Sequence, residues 1–206
     1  MTVLETLKQN PQLHVEQVFE HWELLSYETR NKFKVNDSSG NLLYYVAEQN
    51  KGAWQFILRQ FLGHWRPFEV HFFSPERELL WIAKHPFRFF FRHFEVQSTE
   101  GVKLGHLQQR FSLLRKSFDV CNKVGAKIFT VRSPIYKPWT FVLKKGPLDV
   151  ATIKKKWSGL LNEAFSDKDN FTIDFHYTLE EENDYQLIIS SAFFIDLLYF
   201  EKKAND

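Results

Sequence analysis

Alternation of period two, broken by turn residues, recurs along this chain. Phe33-Lys34-Val35, Phe68-Glu69-Val70, Phe94-Glu95-Val96 and Phe118-Asp119-Val120 each read apolar, charged, apolar. Turn chemistry follows each one (NDSSGN, SPERE, STEG and NKVG), and then a second apolar run: LLYYVAE, LLWIA, VKLGHL and KIFTV. That order is the signature of a β-hairpin. Four hairpins at regular spacing predict a meandering antiparallel sheet. Leu13 to Glu20 alternates as well and adds strand. Trp139 to Leu143 and Val150 to Ile153, joined through Lys145-Gly146-Pro147, predict one more hairpin. Phe171, Ile173, Phe175 and Tyr177 alternate as a last strand, and residues 157–165 read as a short helix. A sheet of this extent closes into a barrel or folds into a sandwich. No low-complexity linker divides the chain, so residues 1–206 are expected to form one domain.

The final element has a different period. YQLIISSAFFIDLLYF, residues 185–200, is apolar on nearly every face, with Leu187, Ile188, Phe193, Phe194, Ile195 and Leu198 as its core side chains. Glu180, Glu181, Glu182 and Asp184 precede it and Lys202 and Lys203 follow. This order complements a helix dipole. A helix apolar all round either spans a membrane or is enclosed by protein. Its 16 residues fall short of the roughly 20 that a span needs. Asp196 within it would be costly in hydrocarbon. The lysines after it would put the whole preceding domain on the far side of the membrane. An enclosed helix is therefore expected, with Ser190, Ser191 and Ala192 letting a wall of strands come close.

Composition narrows the chemistry. Of 206 residues, 22 are Phe, enough to build a large core. The formal charge of +2 is too small to indicate a nucleic-acid partner. The single cysteine, Cys121, excludes an internal disulfide and suits a reducing compartment. It follows an apolar alternation and reads as a packed thiol. The opening stretch, MTVLETLKQNPQLHVEQ, has no charged head followed by an apolar block, so no secretory signal is expected. The eight His residues show no H-E-x-x-H spacing, and no Gly-rich phosphate loop or G-x-S-x-G elbow is present. Covalent catalysis is not expected.

Two segments point to lipid. Phe87 to Phe94 holds five Phe, two Arg and one His. As a strand it places Phe87, Phe89 and Phe91 on one face and Arg88, Phe90 and Arg92 on the other. As a membrane-contact loop its rings enter the interface while Lys84, Arg88 and Arg92 meet lipid phosphates. Each such cation is worth about 1 kcal/mol at an anionic surface. Lys154, Lys155 and Lys156, beside Trp157, form a basic cluster that either reads phosphate or solvates a strand end.

The arrangement resembles a known family, the phospholipid scramblases, with their tubby C-terminal-like fold. Residues 157–171, WSGLLNEAFSDKDNF, are similar to the family's run of Trp, small residue, Gly and aliphatics, ending in Asp-x-Asp-Asn-Phe. Residues 192–201, AFFIDLLYFE, resemble its Ile-Asp, aromatic-rich terminus. ETRNKFKV, YVAE and RPF fit upstream. The resemblance implies a mainly β fold, a closed antiparallel barrel of about twelve strands around the 185–200 helix. It also implies association with the inner, cytoplasmic leaflet and energy-independent, calcium-stimulated movement of phospholipids between leaflets. Animal members carry a proline-rich N-terminal extension and a palmitoylated cysteine run aligned with residues 87–94, which has no cysteine here.

The calcium loop implied by the resemblance is altered. Asp167 and Asp169 occupy positions one and three of a loop that resembles an EF-hand start, but Phe171, Ile173 and Phe175 fall at positions five, seven and nine. Thr172 stands where the sharp turn needs Gly, and Thr178 where a bidentate acid belongs. A Ca2+ site here is expected to be weak and to rest on Asp167, Asp169 and Asn170. Asp174, facing outward along the strand, adds only part of the missing charge. A polar turn between helix and strand is the competing account of the loop. Three functions remain open: lipid scrambling, a phosphoinositide- or anionic-lipid-binding module without transport, and a carrier using the barrel interior. The partner is phospholipid or a membrane surface, or for the carrier a lipid or other hydrophobic ligand; the oligomeric state is left open.

Overall fold

The computed structural model describes residues 3–18, 29–49, 67–86, 93–110, 116–156 and 170–199. A short helix α1 (Val3–Gln9) leads into twelve strands. These are β1 (Gln12–Val18), β2 (Thr29–Asn36), β3 (Leu42–Gln49), β4 (Phe68–Phe73), β5 (Leu79–His85) and β6 (His93–Ser98). They continue as β7 (Lys103–Gln109), β8 (Ser117–Asn122), β9 (Lys127–Arg132), β10 (Thr140–Lys145), β11 (Leu148–Lys156) and β12 (Asn170–Phe175). Helix α2 (Glu182–Tyr199) ends the described chain. Every strand pairs antiparallel with its sequence neighbours, and β1 pairs with β12 to close the barrel. The expected barrel and enclosed helix are present.

The hairpins lie where the alternation predicts them. Three of their tight turns close with Gly40, Gly101 and Gly125, all at φ between 83° and 85°. In the β4–β5 turn Arg77 takes the same place at φ 70°, with the matching bond from its amide to the Ser74 carbonyl. Side chains with a Cβ pay for that conformation by about 1–2 kcal/mol.

Helix α2 runs through the barrel, and Tyr185 to Leu198 are buried without interruption. Its start at Glu182 puts Glu182 and Asp184 in the first turn, where the dipole favours them. Two consecutive phenylalanines grip opposite walls. The Phe193 ring lies 5.2–5.3 Å from those of Phe33, Phe72 and Phe171, edge to face. Phe194 stacks on Phe94 at 4.8 Å and meets Phe118 edge-on at 5.5 Å. Edge-to-face and offset geometries are the favourable ones for aromatic quadrupoles. The expected close approach at Ser190 is real and carries a hydrogen bond: the Trp81 indole donates to Ser190 Oγ at 3.1 Å.

Gly105, in the middle of β7, gives way to the helix. A Cβ there would collide with the Cys121 carbonyl oxygen and lie 2.9 Å from both Leu187 methyls. Gly105→Ala is expected to lower stability by about 1–3 kcal/mol through overpacking. Urea unfolding with an unchanged m-value is the check; an unaltered midpoint would mean the wall yields freely there.

Candidate membrane-facing site

The tight hairpin turns all lie at one end of the barrel. The opposite rim holds the C-terminal end of β5, the start of β6 and β10, the end of β11, the start of β12, and the end of α2. Lys84, Trp139, Lys154, Lys155 and Asn170 therefore share this rim, although they are far apart in sequence.

Strand alternation splits the basic cluster. Ala151, Ile153 and Lys155 face inward on β11, while Lys154 faces out. Lys155 Nζ lies 2.6 Å from Asp196 Oδ1, with side chains 12% and 4% exposed. Lys154 Nζ lies 2.7 Å from Asp174 Oδ2 on the outer surface. Two of the three lysines expected to act together thus serve acids on opposite sides of the wall; the side chain of Lys156 lies outside the described residues. Asp196 resolves the difficulty that its sequence position posed: a carboxylate in an apolar helix is tolerable because the barrel brings it an ammonium. A crevice of about 10 Å³ opens beside this pair, lined by Trp139, Phe141, Phe171 and Ile195 among others. It admits about one water molecule. With α2 filling the barrel, the carrier reading lacks the vacant interior it requires.

The calcium candidates do not converge. Asp167 and Asp169 lie outside the described residues. Asn170 opens β12, and its Oδ1 is buried with no hydrogen-bond partner among the described residues. Asp174 is four residues further, about 13 Å along a strand, and is already engaged: Gln12 Nε2 donates to its Oδ1 at 2.6 Å and Lys154 to its Oδ2. Burial opposes ionisation of Asp174, but the hydrogen bonds from Lys154 and Gln12 outweigh it and hold the carboxyl below its ordinary value. Among the described residues no group of three or more His, Cys, Asp or Glu is placed to hold a metal. These donors alone do not supply the six to eight oxygens that calcium requires.

Lys84 sits on the outer face of β5, 3.8 Å from Glu69 and partly exposed. The aromatic run does not continue as one strand. β5 ends at His85 and β6 begins at His93, so of the run only His93 and Phe94 are in β6. Phe94 is fully buried. Phe87, Arg88, Phe89, Phe90, Phe91 and Arg92 lie outside the described residues, as does the predicted helix at 157–165. Buried His85 donates from Nδ1 to the His93 carbonyl at 2.6 Å, tying the two strand ends together. Cys121 is buried, and burial followed by the Asp119 charge pushes its thiol pKa up. It is a packed thiol. No helix among the described residues is long and apolar enough to cross a membrane.

The reading of the sequence missed the Lys155–Asp196 pair. The signal was present: Lys155 is two residues from inward Ile153, and the helix contained one unexplained acid. It also missed the loop between β9 and β10, whose apolar tip is exposed.

Comparisons with known proteins agree with this architecture. A family model described as Scramblase matches residues 1–202. Phospholipid scramblase 1 of Mus musculus is 29% identical over 98% of this chain and 65% of its own length. Phospholipid scramblase 2 of Homo sapiens is 26% identical over 97% and 70% respectively. The chain thus spans a little under two thirds of the mouse relative. A solved structure of a protein from Arabidopsis thaliana, 16% identical, superposes over 91% of each chain with a TM-score of 0.51. That likeness shows a tubby-like fold.

Removing one partner of the buried pair leaves the other charge stranded. Lys155→Ala or Asp196→Ala is expected to cost about 3–5 kcal/mol, while Lys155→Met with Asp196→Leu recovers most of it. Chemical denaturation of the three variants checks this; a double variant that loses as much as the two single variants added together would show that the pair is not coupled. The Asp174 contribution has a defined pH window. Its folded pKa is depressed, so the stabilisation is full above the unfolded value near 3.9 and is lost as pH falls through the lower folded value. Thermal melts of wild type and Asp174→Asn are expected to differ at neutral pH and to converge in acid. A constant gap would contradict the assignment.

Proposed function

The chain belongs to the scramblase family, and on that premise we propose that it moves phospholipids between leaflets without covalent chemistry or an energy source. It acts from a peripheral position on the cytoplasmic face of a membrane. The observation that carries the reading is the family match along nearly the whole chain, on a barrel whose lysine- and aromatic-bearing strand ends gather at one rim. Calcium stimulation, if it operates in this chain, rests on Asp167, Asp169 and Asn170 and leaves Asp174 aside, because Asp174 is held by Lys154 and Gln12.

The enclosed helix favours a second reading. With α2 caged by aromatic walls and tied by Lys155 to β11, this conformation offers a headgroup no path across about 30 Å of hydrocarbon. An anionic-lipid-binding module without transport needs no such path.

The two readings separate in one assay. Purified protein is added to unleaky liposomes with fluorescent lipid in both leaflets, then a membrane-impermeant quencher, with calcium or chelator. Scrambling is expected to carry the signal well below the half that a sealed inner leaflet protects. Retention of half, on vesicles that the protein binds, would reject transport and leave the lipid-binding module.

A further inference from the structure

The β9–β10 connection departs from the other described turns of the barrel. Its sequence is Arg132-Ser133-Pro134-Ile135-Tyr136-Lys137-Pro138-Trp139. Two consecutive turns form it, closed by Lys137 N to Pro134 O at 3.1 Å and Thr140 N to Lys137 O at 3.0 Å. Ile135 and Tyr136 are the two central residues of the first turn. Such positions ordinarily take Gly, Asn, Asp, Ser or Pro, as in the Asp37-Ser38-Ser39-Gly40 turn. Here they carry an isoleucine 59% exposed and a tyrosine 82% exposed. Both are held out by a braced frame. Ser133 N bonds the Lys116 carbonyl at 3.2 Å, and Lys155 N bonds the Trp139 carbonyl at 3.0 Å. Pro134 and Pro138 limit the backbone further. Trp139, half-buried, packs against the core.

The charged side chains of the loop itself have one sign. Arg132 and Lys137 flank it and are exposed. From Arg132 to Leu148 the chain has no acidic residue. Lys154, on β11 next to β10, is exposed on the same rim, where it pairs with Asp174. A rigid aromatic–aliphatic apex collared by cations matches the lipid–water boundary, where tyrosine is favoured and lysine and arginine meet phosphates. Because the turn is already ordered, insertion needs little further loss of conformational freedom.

We infer that Ile135 and Tyr136 are the membrane-inserting apex of this protein, seating the rim where α2 ends on an anionic bilayer. This rests on the membrane reading above and adds to it an orientation: the barrel stands with its tight hairpin turns pointing away from the lipid, and the Lys155–Asp196 pair faces the interface. The opposite end supplies an internal comparison. Val102, Val124, Leu148 and Tyr177 are exposed there on separate connections, and Val124, 79% exposed between Lys123 and Lys127, is the most exposed of them and serves as the competing apex.

The test uses full-length protein and vesicles of phosphatidylcholine with phosphatidylserine. Tyr136→Cys and Val124→Cys are each labelled with a polarity-sensitive dye; the native Cys121 is buried, and a labelled wild type gives its background. Insertion predicts a blue shift at position 136 and none at 124. Ile135→Ser with Tyr136→Ser is expected to weaken vesicle sedimentation by about tenfold or more, with an unchanged thermal melt. The residual binding should fall with salt, as the cationic collar requires. A shift at 124 alone, or no shift at 136 in protein that sediments with vesicles, overturns the inference and leaves the membrane reading standing. Wild type that does not sediment with these vesicles overturns both.

Discussion

A helix apolar on every side has no face to turn toward water, and this one also contains a carboxylate. From Tyr185 to Leu198 the side chains of α2 are buried in sequence. An open sheet or a two-layer sandwich covers a helix on one or two sides only. Closure of β1 on β12 removes the sheet edges and gives α2 a continuous wall. The inward positions of the strands follow from that demand. Phe33, Phe72 and Phe171 converge on Phe193, while Phe94 and Phe118 converge on Phe194. Where the space between wall and helix runs out, the wall gives up its side chain, at Gly105 against Leu187.

Apolar packing alone permits a helix to slide or rotate in such a sleeve. Directional contacts remove that freedom. The Trp81 indole meets Ser190 near the middle of the helix, and the Lys155 ammonium meets Asp196 near its end. Each would leave a buried polar group stranded if α2 moved by a residue, a loss of about 1–3 kcal/mol for a neutral group and more for a charge. The pair at Asp196 therefore sets position as much as it contributes energy, since a buried ion pair adds little net stability over well-packed apolar side chains.

The same closure makes the two ends of the barrel unlike. Tight turns crowd one end. The other gathers Lys84, Lys154, the Lys155–Asp196 pair and the Ile135–Tyr136 apex. On the membrane reading proposed above, a filled barrel seated by this rim binds a leaflet without opening its own interior. Any transport that requires α2 to leave would have to break the aromatic cages and the ion pair together. This makes the integrity of the Lys155–Asp196 contact a natural marker of the closed state.

The chain's alternation by itself determined the hairpins, the barrel-sized sheet and the enclosed helix, because period two, turn residues and an all-round apolar segment are local properties of the residues. Family likeness was readable for the same reason: it rests on contiguous runs such as residues 157–171 and 192–201. What the tertiary structure decided was partnership. Lys154 and Lys155 are adjacent in sequence, yet one pairs with Asp174 outside the wall and the other with Asp196 inside it. Asp174 looked like part of a calcium loop and is instead held by Gln12, 162 positions away. An exposed Ile–Tyr turn cannot be told from a buried one by its letters. Such outcomes depend on which strands the closure brings side by side and which faces they turn inward. Pairings of that kind are set by register and topology over long separations, which no local window of sequence contains.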